Sequence, residues 1–293
     1  MENRVILGNA ISKQPEIEKK SVQAIITSPP YFNLRKYSKD DEHEKAEIGR
    51  EKSVDGYVSN LVKVFHNLKD YLKDDGLLWL NLGDSFINKE LQGVPWKVAL
   101  ALMNDGWILR ADVIWHKPNA MPSSVTTRPT IDHEYMFMFS KKKDYYYDAD
   151  AIREPHVTFS ENSKMKGGRN HFGKRNGTPE QGKNAGNANL HNGRWDQAFN
   201  PKGRNKRTVW SIPLGKFRGT HFAVFPEKLV EIPLLASTQK GDIVLDPFTG
   251  SGTTGVVALK NNRRFIGIEL EPYYAEMAQK RIDDLSKQSR LPI

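Results

Sequence analysis

Residues 243–285 compress five segments into one unit: a short apolar run, a glycine-rich turn, an amphipathic stretch, a second apolar run and a second amphipathic stretch. Ile243–Leu245 and Phe265–Ile268 read as strands, and Thr253–Lys260 and Tyr273–Leu285 as helices. A strand, a turn, a helix and a strand in this order build a parallel sheet covered by helices, which excludes all-α and all-β architectures. Upstream the same alternation recurs. Val22–Thr27 is a buried-strand signal ending in Ser-Pro-Pro. Tyr57, Leu61, Val62, Phe65, Leu68 and Leu72 recur at helical spacing, with Gly76 as the expected stop. Leu77–Leu82 reads as a central strand, Val94–Met103 as a helix, and Trp107–Trp115 and Glu134–Ser140 as strands. Glu227–Ser237 reads as a helix that Pro233 kinks. The predicted fold is α/β, a mostly parallel sheet with helices on both faces, and no repeat is present.

The turn within 244–255, VLDPFTGSGTTG, holds Gly250, Gly252 and Gly255 as G-x-G-x-x-G between strand and helix. Glu269 follows Gly250 by 19 residues, at the end of the next strand. From there an acid reaches a ribose hydroxyl pair, while the glycines admit the ligand to the backbone and the helix N-terminus offers free N–H groups. The pattern predicts a nucleoside-cofactor site. Nicotinamide dinucleotides and S-adenosylmethionine both fit it. Asp246, at the strand end, separates them: its carboxylate repels a pyrophosphate and suits an amino-acid ammonium, directly or through water.

A second turn, TSPPY at 27–31, follows an apolar strand. Two prolines stiffen it and leave carbonyls as acceptors. Ser28 adds a hydroxyl that donates and accepts, and Tyr31 an aromatic face. Such a set suits a planar ring with an exocyclic amine: Ser28 Oγ and the Pro29 carbonyl accept its two hydrogens while Tyr31 stacks on the ring. Direct in-line transfer to that nitrogen then needs only placement and electrostatics.

Charge is concentrated. The net charge is +9, yet residues 156–207 hold 11 Lys/Arg against 3 Asp/Glu, with 8 glycines and 9 asparagines. That stretch reads either as a solvated insertion or as a segment that neutralises phosphates. With no cysteine in the chain, disulfides, thiolate zinc sites and Cys nucleophiles are excluded. No ligand set for a metal is picked out. No apolar run approaches the about 20 residues of a membrane span, and the N-terminus lacks a signal-peptide pattern, so a cytoplasmic protein without membrane contact is expected.

TSPPYFNLRKY and VLDPFTGSGTT, in this order, resemble the S-adenosylmethionine-dependent amino-group DNA methyltransferases of the β-type motif arrangement. LLWLNLGDS, WHKPNAMPSSVTTRP with DHEYMFMFSK, RTVWSIP and HFAVFPEKL add to the likeness, which spans residues 4–153 and 208–285. The resemblance implies a Rossmann-like methyltransferase domain from 1–153 and 208–293, with 154–207 as a basic target-recognition insertion. It implies Ser28, Pro29, Pro30 and Tyr31 as the catalytic turn. Asn9, His221, Phe222, Pro226, Asp246, Phe248, Gly250, Gly252, Thr253 and Glu269 would bind the cofactor, Asn9 standing where many such enzymes carry Asp. Lys164, Lys166, Arg169, Lys174, Arg175, Arg194, Arg204, Lys206 and Arg207 would contact DNA. Asp84 is read either as a cofactor contact or as a turn cap, and His116 with Lys117 as pocket border or surface pair. Members with Ser first in the catalytic turn mostly methylate cytosine N4, and those with Asp or Asn mostly adenine N6. The expected function is N4-cytosine methylation of a base flipped from double-stranded DNA, with N6-adenine as the alternative. Cytosine C5 chemistry is excluded because it needs a Cys nucleophile. A nicotinamide oxidoreductase leaves TSPPY unexplained, and a non-catalytic DNA-binding protein leaves the intact turn without a purpose. A homodimer and a cognate restriction endonuclease as functional partner are the associations that the resemblance suggests.

Overall fold

The computed structural model describes residues 3–12, 14–34, 46–156, 200, 202–215 and 226–288. The chain divides into two compact units, Met1–Tyr147 with Thr208–Ile293, and Asp148–Arg207.

In the larger unit the strands are β1 (Arg4–Leu7), β2 (Val22–Thr27), β3 (Leu72–Leu82), β4 (Phe86–Ile87), β5 (Glu90–Leu91), β6 (Ile108–His116), β7 (His133–Ser140), β8 (Val209–Ser211), β9 (Ile243–Asp246) and β10 (Arg264–Glu269). The helices are α1 (Val54–Leu68), α2 (Val94–Asn104), α3 (Glu227–Ser237), α4 (Thr253–Lys260) and α5 (Pro272–Gln288). Among the described residues, eight strands form one sheet in the order β1-β10-β9-β2-β3-β7-β6-β8, and β4 and β5 make a separate hairpin. β2 and β9 are buried along their whole length, as strands covered on both faces must be.

Alternation assigns the two faces. Ile25, Leu78, Leu80, Leu245, Ile266 and Ile268 pack with Tyr57, Leu61 and Phe65 of α1 and Val98 and Leu102 of α2. Phe265, one residue out of phase with Ile266, meets α4 and α5 on the other face: a side chain at Gly255 would come within 2.7 Å of its ring and 3.0 Å of Ile282. Ser53 caps α1 by accepting from the Gly56 N–H, the usual work of an N-cap serine.

One expectation is overturned. α1 ends at Leu68, and Leu72 already belongs to β3, where it pairs with Val22. Gly76 lies inside β3 rather than behind a helix. The spacing from Phe65 to Leu72 is helical by coincidence, because a parallel ladder to β2 claims Leu72.

Two pairings depart from parallel. β7 runs antiparallel to both β3 and β6, while β6 pairs parallel with β8. The carboxyl ends of β1, β2, β3, β6, β9 and β10 therefore share one edge of the sheet, and the amino end of β7 joins them there. Between β2 and β9 the strand order reverses direction, the place where open α/β sheets leave a crevice.

In the smaller unit, Asp150–Ile152 forms a 3-10 turn and Glu154 bridges Arg204 antiparallel. Glu154 binds Arg204 at 3.1 Å and Lys206 at 2.8 Å, and Asp150 binds Arg153 at 2.6 Å and Lys202 at 3.0 Å. Ion pairs outweigh the effect of partial burial on Glu154 and hold its carboxyl below the usual range. Among the described residues, no helix is long and apolar enough to cross a membrane.

Candidate active site

Both motif turns start at this sheet edge, one on β2 and the other on β9, and the two strands are neighbours. Thr27 Oγ1 donates to Asp246 Oδ1 at 2.6 Å, tying the turns together at their roots. Above them lies a cavity of about 460 Å³ whose wall includes Tyr31 from one turn and Phe248 from the other. Asn9, Ser28, Pro29, Pro30, Asp246, Gly250, Thr253 and Glu269 also line it.

The glycine-rich turn is built as its sequence requires. Gly250 and Gly252 take φ of +51° and +82°, left-handed conformations that favour glycine. Gly250 N donates to Glu269 Oε2 at 2.7 Å, and Glu271 N to Oε1 at 3.0 Å. Each carboxylate oxygen of Glu269 keeps lone-pair capacity for a ligand hydroxyl. Asp246 is more fully engaged: besides Thr27 it accepts from Phe248 N at 3.0 Å and Thr254 Oγ1 at 2.7 Å. Burial raises the pKa of both carboxyls above the ordinary range, against the pull of these hydrogen bonds.

The serine-proline turn carries a polar network. Tyr31 Oη donates to Glu134 Oε2 at 2.5 Å and lies 3.2 Å from Ser28 Oγ. Asn81 Nδ2 reaches Tyr31 Oη at 2.6 Å and Glu134 Oε2 at 2.7 Å. Lys117 Nζ donates to Glu134 Oε1 and stands 4.7 Å from the Trp115 ring centre. Burial, and then the Glu134 carboxylate beside it, push the Tyr31 phenol well above its usual value. The Pro30 carbonyl is taken by Tyr57 Oη at 2.8 Å, whereas no donor meets the Pro29 carbonyl among the described residues. Gly83 makes room for the ring, since a side chain there would come within 2.6 Å of Tyr31.

Several expected site residues stand elsewhere. Gly252 is off the cavity wall; a side chain there would come within 3.0 Å of Ala278 on α5, so this glycine serves packing. Pro226 opens α3 and does not line the cavity. Asp84 caps a turn, accepting from Ser85 N at 2.8 Å and Val94 N at 2.9 Å. Lys117 borders the cavity, while His116 faces Asp132 at 3.6 Å. Arg204 and Lys206 are held by Glu154, and Arg207 closes the smaller unit. His221, Phe222, Lys164, Lys166, Arg169, Lys174, Arg175 and Arg194 lie outside the described residues.

Sequence reasoning missed Asn81 and Glu134. The signal was present: each is a polar residue adjoining an apolar run, LLWL before Asn81 and YMFMF after Glu134. Glu134 reaches the site because β7 is antiparallel, which brings the start of that strand to the edge where its neighbours end.

The chain matches the N6/N4 DNA methylase model over residues 22–280. It is 38% identical to the type II methyltransferase M.Cfr9I of Citrobacter freundii, over 94% of this chain and 86% of that protein. It is 36% identical to M.SmaI of Serratia marcescens, over 95% and 90%. Among solved structures it is similar to the PvuII DNA methyltransferase, described as cytosine-N4-specific, with a TM-score of 0.64 at 18% identity, covering 98% of this chain and 92% of that one. The M1.HpyAVI–SAM complex gives a TM-score of 0.56 at 21% identity, covering 96% and 98%. At these identities the structural likeness speaks to the fold.

Proposed function

This chain belongs to the N6/N4 DNA methylase family, and from that premise we propose that it carries a methyl group from S-adenosylmethionine to the exocyclic N4 amine of a cytosine in duplex DNA. The observation that supports this most is the Thr27–Asp246 hydrogen bond, which roots the amine-accepting turn and the glycine-rich turn side by side on one cavity.

The residues fit the cofactor. Glu269 keeps lone pairs for a ribose hydroxyl pair, and Phe248 offers an aromatic wall beside Gly250. Asp246 has three of its about four acceptor positions occupied, which leaves room for one contact to an ammonium, direct or through water. When bound, S-adenosylmethionine supplies an electrophilic methyl on sulfonium sulfur.

On the other side of the cavity Ser28 Oγ and the Pro29 carbonyl accept the two hydrogens of the amine, and the Tyr31 ring takes the base face. Withdrawing those hydrogens toward fixed acceptors turns the nitrogen lone pair toward the methyl. Holding both reactants in line removes most of the entropic part of the barrier. A duplex hides this nitrogen, so the base must leave the stack before it reaches Tyr31. Ser at the first position of the turn favours cytosine N4, as does the specificity given for the PvuII enzyme. The type II relatives support a role beside a cognate endonuclease.

Incubation with labelled S-adenosylmethionine and varied duplexes, followed by digestion to nucleosides, tests the reading. Label in N4-methylcytosine is expected. Label in N6-methyladenine would replace the target base, and label absent from DNA would remove the activity.

A further inference from the structure

Hydrogen-bond direction around Tyr31 is set by its partners. Glu134 Oε2 accepts from the Tyr31 hydroxyl and from Asn81, and Oε1 accepts from Lys117. The Tyr31 proton is therefore committed to Glu134, and Tyr31 Oη acts on its other side only as an acceptor. It takes one hydrogen from Asn81 Nδ2. The second hydrogen of that amide goes to Glu134, because Ser28 Oγ lies farther off, at 3.4 Å. The remaining position on Tyr31 Oη faces Ser28 Oγ at 3.2 Å, and only the Ser28 hydroxyl proton can fill it. Ser28 must then donate inward, which leaves its lone pairs for the cavity.

Asn81 obeys the same constraint. Its amide nitrogen is held toward Glu134 and Tyr31, and among the described residues its Oδ1 is left buried without a partner. Turning the amide would set that oxygen against the Glu134 carboxylate. A buried unpaired carbonyl is destabilising, and the two hydrogen bonds on nitrogen offset it.

We propose that Glu134 is a positioning residue for methyl transfer: by holding Tyr31 as a donor it fixes the Ser28 hydroxyl as the acceptor of the amine hydrogen. This rests on the methyltransfer reading above. It assigns to Glu134 no contact with the base or the cofactor. Without the carboxylate, Ser28 can rotate its hydrogen into the cavity and meet the amine as a competing donor.

The test compares wild type, Glu134→Gln, Tyr31→Phe and the double variant on cognate duplex. Glu134→Gln is expected to lower kcat by about 10²-fold, the scale of a misdirected reacting group, with KM for DNA and calorimetric Kd for S-adenosylmethionine unchanged. Tyr31→Phe keeps the ring face and loses only the hydroxyl, so it should lose kcat similarly. The double variant should lose no more than the worse single one, because the two residues act as one unit. A readout apart from activity follows the Tyr31 phenol by carbon-13 tyrosine NMR, its signal assigned by absence in Tyr31→Phe. Its titration should move down in Glu134→Gln, since the carboxylate helps to hold it up. Additive losses, a raised KM with kcat intact, or wild-type turnover in Glu134→Gln would overturn the proposal. Should Glu134→Gln fail to fold, judged by lost cofactor binding, Tyr31→Phe decides alone: unchanged kcat sinks the proposal and a selective kcat loss supports it. If wild type labels no DNA, the methyltransfer reading fails instead, and the tyrosine titration still reports on the contact.

Discussion

Asp246 and Glu269, from the neighbouring strands β9 and β10, line the same cavity, and burial raises both above the usual carboxylate range. In the free protein their ionised forms are a cost. The contribution of these groups to stability is whole below the ordinary carboxylate range and is lost as pH rises through their raised values. A hydroxyl pair at Glu269 and an ammonium near Asp246 favour the ionised forms, so cofactor binding releases protons. Affinity for S-adenosylmethionine should therefore weaken as pH falls through the raised values toward the ordinary range. Calorimetry in buffers of different ionisation heat measures both the affinity and the protons released; a pH-independent affinity across that window would take Glu269 off the binding wall.

At the scale of the element, the strand ends do most of the positioning. Four strands of this sheet end in or beside residues of the candidate site: Thr27 on β2, Asn81 near the end of β3, Asp246 on β9 and Glu269 on β10. The glycine-rich turn keeps its shape because α4 lies close on β10 and α5. Gly255 permits that approach, since any side chain there would press on Phe265 and Ile282. Gly255→Ala should destabilise the fold by about 1–3 kcal/mol through overpacking, seen as a lower thermal midpoint. It should also weaken cofactor binding, because α4 would move off the sheet and carry Thr253 and Thr254 with it. A variant with unchanged midpoint would mean that α4 can shift without strain. The elements themselves were largely legible: the helices 94–104, 227–237 and 253–260 follow the periodicity closely. Leu72 and Gly76 were misread because helical spacing cannot register a pairing partner fifty residues away.

Taken whole, the sequence carries its cavity-lining residues and its excess positive charge in different segments. The cavity belongs to the larger unit, while residues 156–207 hold nearly all the excess positive charge. Within the smaller unit Asp150 and Glu154 already neutralise part of it through Lys202, Arg204 and Lys206. Binding to duplex DNA should still weaken steeply with salt, because each phosphate neutralised releases counterions. Titrations of fluorescent duplex over a range of salt concentrations should give a slope of several phosphate contacts, below the 11 basic residues of the stretch. An affinity indifferent to salt would reassign that segment to a solvated insertion.

The amino-acid order alone determined that a proline turn follows a buried strand, that a glycine turn with a partner acid follows another, and that a parallel α/β sheet must carry both. Those are local properties, carried by φ restriction, apolar spacing and side-chain chemistry. That Thr27 touches Asp246, that Gly252 and Pro226 stand off the wall, and that Glu134 commands Tyr31 were decided only by tertiary structure. Strand order and direction bring residues 103 positions apart into hydrogen-bond contact, and no local preference encodes which way β7 runs. One reversed strand added the carboxylate that the serine-proline turn itself lacks.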